Sequence, residues 1–142
     1  FERIRVDISG ILEERNTRVW GFKDPRTVLT YGVLRTQIEN LFSPIYIFVH
    51  RPSEQIVKSL VKRGDITEER AIAVTEEYLR RLSRWERVLP SDRQIHYDFS
   101  VVVKNPEAIV RPLSPLLGFR PEEEQRAVQI ASEFLDPNLK HH

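Results

Sequence analysis

Ile45-Tyr46-Ile47-Phe48-Val49-His50-Arg51-Pro52 is the stretch that decides the fold. Five apolar residues in a row, without alternation, describe a strand buried on both faces, as in a parallel sheet covered by helices. His50-Arg51-Pro52 ends that strand. Pro52 then opens a helix whose apolar stripe is Ile56, Val57, Leu60 and Val61.

Upstream, Arg18-Val19-Trp20-Gly21-Phe22 is short, β-branched and aromatic, and predicts a second buried strand. Asp24-Pro25 reads as a helix start, with Asp at the N-cap and Pro at the first helical position. Tyr31, Leu34, Ile38 and Leu41 keep helical spacing behind it. Residues 1–16 fit no single period and read as a helix or an irregular lead-in.

Downstream, 65–89 carries the strongest helical signal. Asp65 and Glu68 suit a capping box, and Ala71, Val74, Tyr78, Leu82, Trp85 and Leu89 advance by three or four residues each time. Arg70, Glu77, Arg80, Arg81, Arg84 and Arg87 make the opposite face, which reads as solvated. A third strand is expected at Gln94-Ile95-His96-Tyr97. Asn105-Pro106-Glu107 starts a further helix, interrupted at Pro112 and Pro115 and closed by Gly118. The last helix opens at Pro121 with Glu122, Glu123 and Glu124 in its first turn, and runs to about Leu135. The order β-α-β-α-α-β-α-α predicts one α/β domain over 1–142: a parallel sheet with helices on both faces.

Composition narrows the function classes. The chain has 142 residues, 40% apolar and 30% charged, which suits a soluble globular domain. Its net charge of +1 argues against a nucleic-acid partner or a membrane-surface helix. No apolar run reaches the roughly 18 residues of a membrane span. Cysteine is absent, which excludes disulfides, thiolate catalysis and thiolate metal sites, and fits a cytoplasmic setting. Methionine is absent too, and the chain starts at Phe1, so a missing N-terminal part is expected.

In open parallel sheets ligands gather at the carboxyl ends of the strands. Two charged clusters lie at such junctions: Lys23-Asp24-Pro25-Arg26 and His50-Arg51-Pro52-Ser53. An arginine beside a helix N-terminus makes an anion site, so two such junctions point to a phosphorylated ligand. Asp24 is explained equally by capping, and Lys23 or Arg26 by bracing it. His50, His96, His141 and His142 show no metal-ligand spacing, and no metal is expected.

These residues also carry a resemblance. Trp20-Gly21-Phe22-Lys23-Asp24-Pro25-Arg26-Thr27 resembles the Gly-x-Lys-Asp-Pro-Arg-Thr segment of bacterial sulfotransferases. The apolar strand ending in Arg51, with Ser59 eight residues later, is similar to the family's next element. Ile95-His96-Tyr97-Asp98, the Asn-Pro-Glu helix start, Leu116-Leu117-Gly118-Phe119 and the segment 134–142 also resemble it, so the likeness covers about 18–142. The resemblance implies a P-loop-like fold that binds 3′-phosphoadenosine 5′-phosphosulfate and transfers its sulfonate to a hydroxyl or amine. It implies that Arg51 and Ser59 hold the donor's 3′-phosphate, and that Lys23, Asp24 and Arg26 serve catalysis. Lys23 or Arg26 would stabilise charge on the leaving phosphate, and Asp24 would act as a base. The acceptor would be a small-molecule or carbohydrate-like compound, and a homo-oligomer stays open.

One departure matters. The family's Gly/Ser/Thr-rich 5′-phosphosulfate loop has no counterpart in 1–22, where the glycines are Gly10 and Gly21. The loop is expected upstream of Phe1. Two other readings stay open: a nucleotide or small-molecule kinase of P-loop fold, which would also need a glycine loop, and a non-catalytic binding domain docking through the basic face of 65–89.

Overall fold

A computed structural model describes residues 21–64 and 66–134. The chain divides into two compact units, 1–44 and 45–142, described here in turn.

In the first unit the helix α1 spans Thr27–Leu41, with Tyr31 and Ile38 buried at the expected spacing. It starts later than Asp24-Pro25 suggests. Its N-cap is Arg26, which makes no side-chain cap bond. Residues 21–24 have no regular structure and Phe22 is 55% exposed, so the strand expected over 18–22 does not include its last two positions; 18–20 lie outside the described residues. The late helix start has a local cause. Asp24 Oδ1 accepts the Arg26 N–H at 2.8 Å, and the Asp24 carbonyl accepts the Thr27 N–H at 2.9 Å. A turn that satisfies its own backbone in this way holds 24–26 out of the helix, which begins at Thr27.

The second unit is built on two strands, β1 (Tyr46–His50) and β2 (Gln94–Asp98). They pair in parallel with Tyr46 opposite Gln94 and His50 opposite Asp98. A parallel pair needs a long crossover. Here it consists of α2 (Ser53–Lys62), α3 (Glu68–Val88) and a 3₁₀ turn, Ser91–Arg93. After β2 come α4 (Phe99–Val102), α5 (Glu107–Leu117) and α6 (Pro121–Phe134). The unit is therefore mostly helical around a small parallel sheet, an α/β arrangement.

Parallel register puts aligned residues on one face. Phe48 and His96 stack at 5.1 Å on the first face, which Glu86 of α3 reaches. Ile95 and Tyr97 point to the other face, where they join Val102, Ile45, Ile109 and Leu113 in the core. The Tyr97 hydroxyl donates to the Ile109 carbonyl, tying β2 to α5.

Four expectations need correction. The apolar run 45–49 is not buried on both faces: Phe48 is 6% exposed, whereas Ile47 and Val49 are about half exposed at 50% and 49%. The helix α5 packs against β2, and among the described residues of this unit none of the helices covers the β1 half of that face to the same extent. Helix α3 is capped by Thr67, whose hydroxyl accepts the Arg70 N–H, rather than from Asp65, which lies outside the described residues. Its stripe uses Thr75, 3% exposed, in place of Val74, 37% exposed. Finally, Pro112 and Pro115 lie inside an uninterrupted α5. Both face solvent, where water can satisfy the carbonyls they leave unbonded, while Val110 and Ser114 face inward. Gly118, at φ 64°, ends that helix in a left-handed cap as expected.

One-sided burial makes a prediction. Ile95→Ala should cost about 2–5 kcal/mol in urea unfolding, as large-to-small changes in a core do. Ile47→Ala should cost about 1 kcal/mol or less, because most of its cavity term is absent. The two residues are opposite each other on one face, so equal losses would mean that the β1 half of that face is covered as well.

Candidate functional site

The turn at Lys23-Asp24-Pro25-Arg26 is held by a fork of hydrogen bonds. Arg26 Nε donates to Asp24 Oδ1 and Oδ2 at 3.0 and 3.1 Å, and its Nη2 donates to Oδ2 at 2.6 Å. Bidentate pairing of this kind stabilises the ionised carboxylate. The Arg26 side chain, then the Arg26 backbone N–H, hold the Asp24 carboxyl down at about 2, with the Lys23 charge adding a weaker pull. A carboxylate so stabilised is a weak base, since proton abstraction falls with basicity. The arrangement suits bracing: Arg26 is engaged by Asp24, and Lys23 makes no ion pair with a described residue.

Arg51 follows the last residue of β1 in the second unit. Its Nε donates to Gln55 Oε1 at 3.2 Å, in the first turn of α2. Its guanidinium lies over the Phe99 ring, 4.7 Å from the centroid, at the start of α4. Arg51 therefore sits at the carboxyl ends of both strands, beside the N-terminus of α2 as expected. Among the described residues it pairs with no carboxylate. Gln55 and Ser59 are four apart and lie on one stripe of α2, with Arg51 reaching the first of them. Lys23, Asp24 and Arg26 thus belong to one unit, and Arg51 and Ser59 to the other.

On the charged face of α3, Glu77 is paired, whereas Arg70, Arg84 and Arg87 make no ion pair with a described residue. Glu77 accepts from Arg81 and from Arg80, and its pKa is lowered by those bonds in that order. The solvated reading of that face fits this pairing.

A third grouping was not legible in the sequence. His50 Nε2 lies 2.9 Å from His96 Nδ1 and 3.3 Å from Glu86 Oε1, and His96 Nδ1 lies 3.8 Å from the same oxygen. The absence of metal-ligand spacing along the chain is thus no guide to space: these donors all lie within 4.8 Å of one another. Gln55, Phe99 and Glu86 were likewise missed: Gln55 is a local partner four residues after Arg51, whereas Phe99 and Glu86 reach theirs through the register or the crossover. One part of the signal was readable, since Gln94 and His96 are two apart on a strand and must share a face.

No family model, no curated protein and no solved structure matches this chain.

The turn predicts its own titration. Followed by carboxyl-carbon NMR, Asp24 should titrate with a midpoint of about 2, and Arg26→Ala should return it toward 3.8. Because the folded value is depressed, whatever stability the pair contributes is present above the ordinary value and lost as pH falls through the folded one. A midpoint near the ordinary value in the unsubstituted chain would contradict the fork.

Proposed function

We propose that this chain is part of a P-loop-like, sulfotransferase-type domain that transfers a sulfonate from 3′-phosphoadenosine 5′-phosphosulfate to a hydroxyl or amine. The observation that carries the reading is Arg51. It is a strand-end arginine beside a helix N-terminus, supported by Gln55 and the Phe99 ring, with no carboxylate neutralising it among the described residues. Such a cation fits a phosphate group in chemistry and in position. Ser59, on the Gln55 stripe, is assigned to the same phosphate through the sulfotransferase resemblance.

When bound, the donor supplies an activated sulfonate on a phosphate leaving group. Lys23 is the residue assigned to the negative charge that grows on that leaving group, because a cation there favours the transition state over the ground state. Arg26 holds Asp24, and the pair fixes the turn that presents Lys23. Asp24 works in this reading through its turn rather than as a base. The acceptor is a small-molecule or carbohydrate-like compound.

Adenosine 3′,5′-bisphosphate is the direct probe. It should bind the chain and raise its melting temperature, whereas ATP with magnesium should do neither. Arg51→Ala should weaken that binding by about 1.5–3 kcal/mol, the scale of hydrogen bonds to charged groups. Unchanged affinity would return Arg51 to a surface role, and stabilisation by ATP with magnesium instead would favour a kinase.

A further inference from the structure

The first face of the sheet carries polar groups that neither the fold nor the donor reading uses. His50 ends β1, His96 is central in β2, and Glu86 comes from the last turn of α3. The two imidazoles stack at 5.3 Å with planes 10° apart. Their approach is not an accident of two mobile side chains, because His96 is held from behind.

The Gln94 amide nitrogen donates to the carbonyls of Glu86 and Leu89, at 2.9 and 2.8 Å. That fixes the amide oxygen as the acceptor facing His96 Nε2, 3.0 Å away. His96 therefore carries its proton on Nε2 and presents the Nδ1 lone pair to His50 and Glu86. This is the outer-shell arrangement that orients metal-binding histidines, the far ring N–H donating to a fixed acceptor.

Glu86 supplies the second indication. Its Oε1 is a buried atom without a hydrogen-bond partner, although His50 Nε2 lies 3.3 Å away. A buried, unsatisfied carboxylate oxygen is costly unless a cation or a donor meets it. The three donor separations are 2.9, 3.3 and 3.8 Å. Ligands at zinc bond lengths in a tetrahedron stand about 3.3 Å apart. The spacing fits one small cation at the centre of the three atoms.

We propose that His50 Nε2, His96 Nδ1 and Glu86 Oε1 bind a divalent cation of the zinc type. Two imidazoles and one carboxylate are a borderline-soft donor set that suits zinc and disfavours magnesium or calcium. The cation takes the place of the proton between the two rings, and His50 then carries its own proton on Nδ1. Both histidine side chains are nearly half exposed, at 43% and 46%, so a fourth position opens to water. The three ligands come from β1, α3 and β2, so the bound cation also clamps the crossover helix to the sheet. This inference stands on geometry alone and is independent of the donor reading.

The test uses the full chain carrying His141→Ala and His142→Ala, stripped with chelator, so that the terminal histidines contribute nothing. Titrated with Zn²⁺ in a calorimeter, it should bind one equivalent at micromolar or tighter affinity and melt at a higher temperature. His50→Ala and His96→Ala should each lower the affinity at least a hundredfold. Gln94→Ala should lower it about 10–100-fold, the usual effect of losing an outer-shell partner. A second measurement needs no ligand substitution: ¹⁵N NMR should show Zn²⁺ shifting His50 Nε2 and His96 Nδ1 while His96 Nε2 stays protonated. Absence of one-to-one binding, or binding with both ring nitrogens unmoved, would overturn the proposal.

Discussion

Parallel pairing of Tyr46–His50 with Gln94–Asp98 constrains everything else in the second unit. Strands that run the same way cannot be joined by a tight turn, so the intervening residues must cross over as helices. The register then divides the side chains. Phe48, His50 and His96 share one face with Glu86, and Ile95 and Tyr97 share the other with the α5 core. A slip of one residue would exchange these sets. The same pairing sets the two strand ends level, so that Arg51 after β1 meets Phe99 after β2.

The charges divide by whether they are neutralised. Asp24 with Arg26, Glu77 with Arg80 and Arg81, Glu107 with Arg111, and Arg120 with Glu122 and Glu123 are local pairs on exposed surface. Pairs of that kind contribute little to stability and leave little charge for a ligand. Arg51 and the His50–Glu86–His96 group differ from them. Arg51 is supported by an amide and a ring rather than by a carboxylate, and Glu86 leaves an oxygen unbonded. Both lie at or near the carboxyl end of β1, where a parallel sheet collects ligands.

The sequence was legible where local chemistry and tertiary packing agree. The helices at 53–62, 107–117 and 121–134 and the parallel strands at 46–50 and 94–98 lie within a residue or two of the expected positions. Gly118 closes its helix because its left-handed φ suits glycine. Legibility failed where a tertiary neighbour decides. Five apolar residues cannot say whether a helix covers each face, so Ile47 and Val49 read as core although they are about half exposed. Thr75 reads as polar, but its place on α3 makes it buried. Pro112 and Pro115 read as breaks, but their solvent-facing side tolerates the lost bonds. At the candidate sites, strand-end placement of Arg51 could be read, whereas the meeting of His50, Glu86 and His96 depends on a register that only the folded chain defines.

The most direct measurement is therefore of the strand pairing itself. Nuclear Overhauser spectra of the labelled chain should link 46–50 to 94–98 through amide-to-Hα contacts in the register Phe48 opposite His96, with ring-to-ring contacts between those two residues and between His50 and His96. Strong Hα-to-Hα contacts across the pair, the mark of antiparallel strands, would contradict the account, as would a register shifted by one residue.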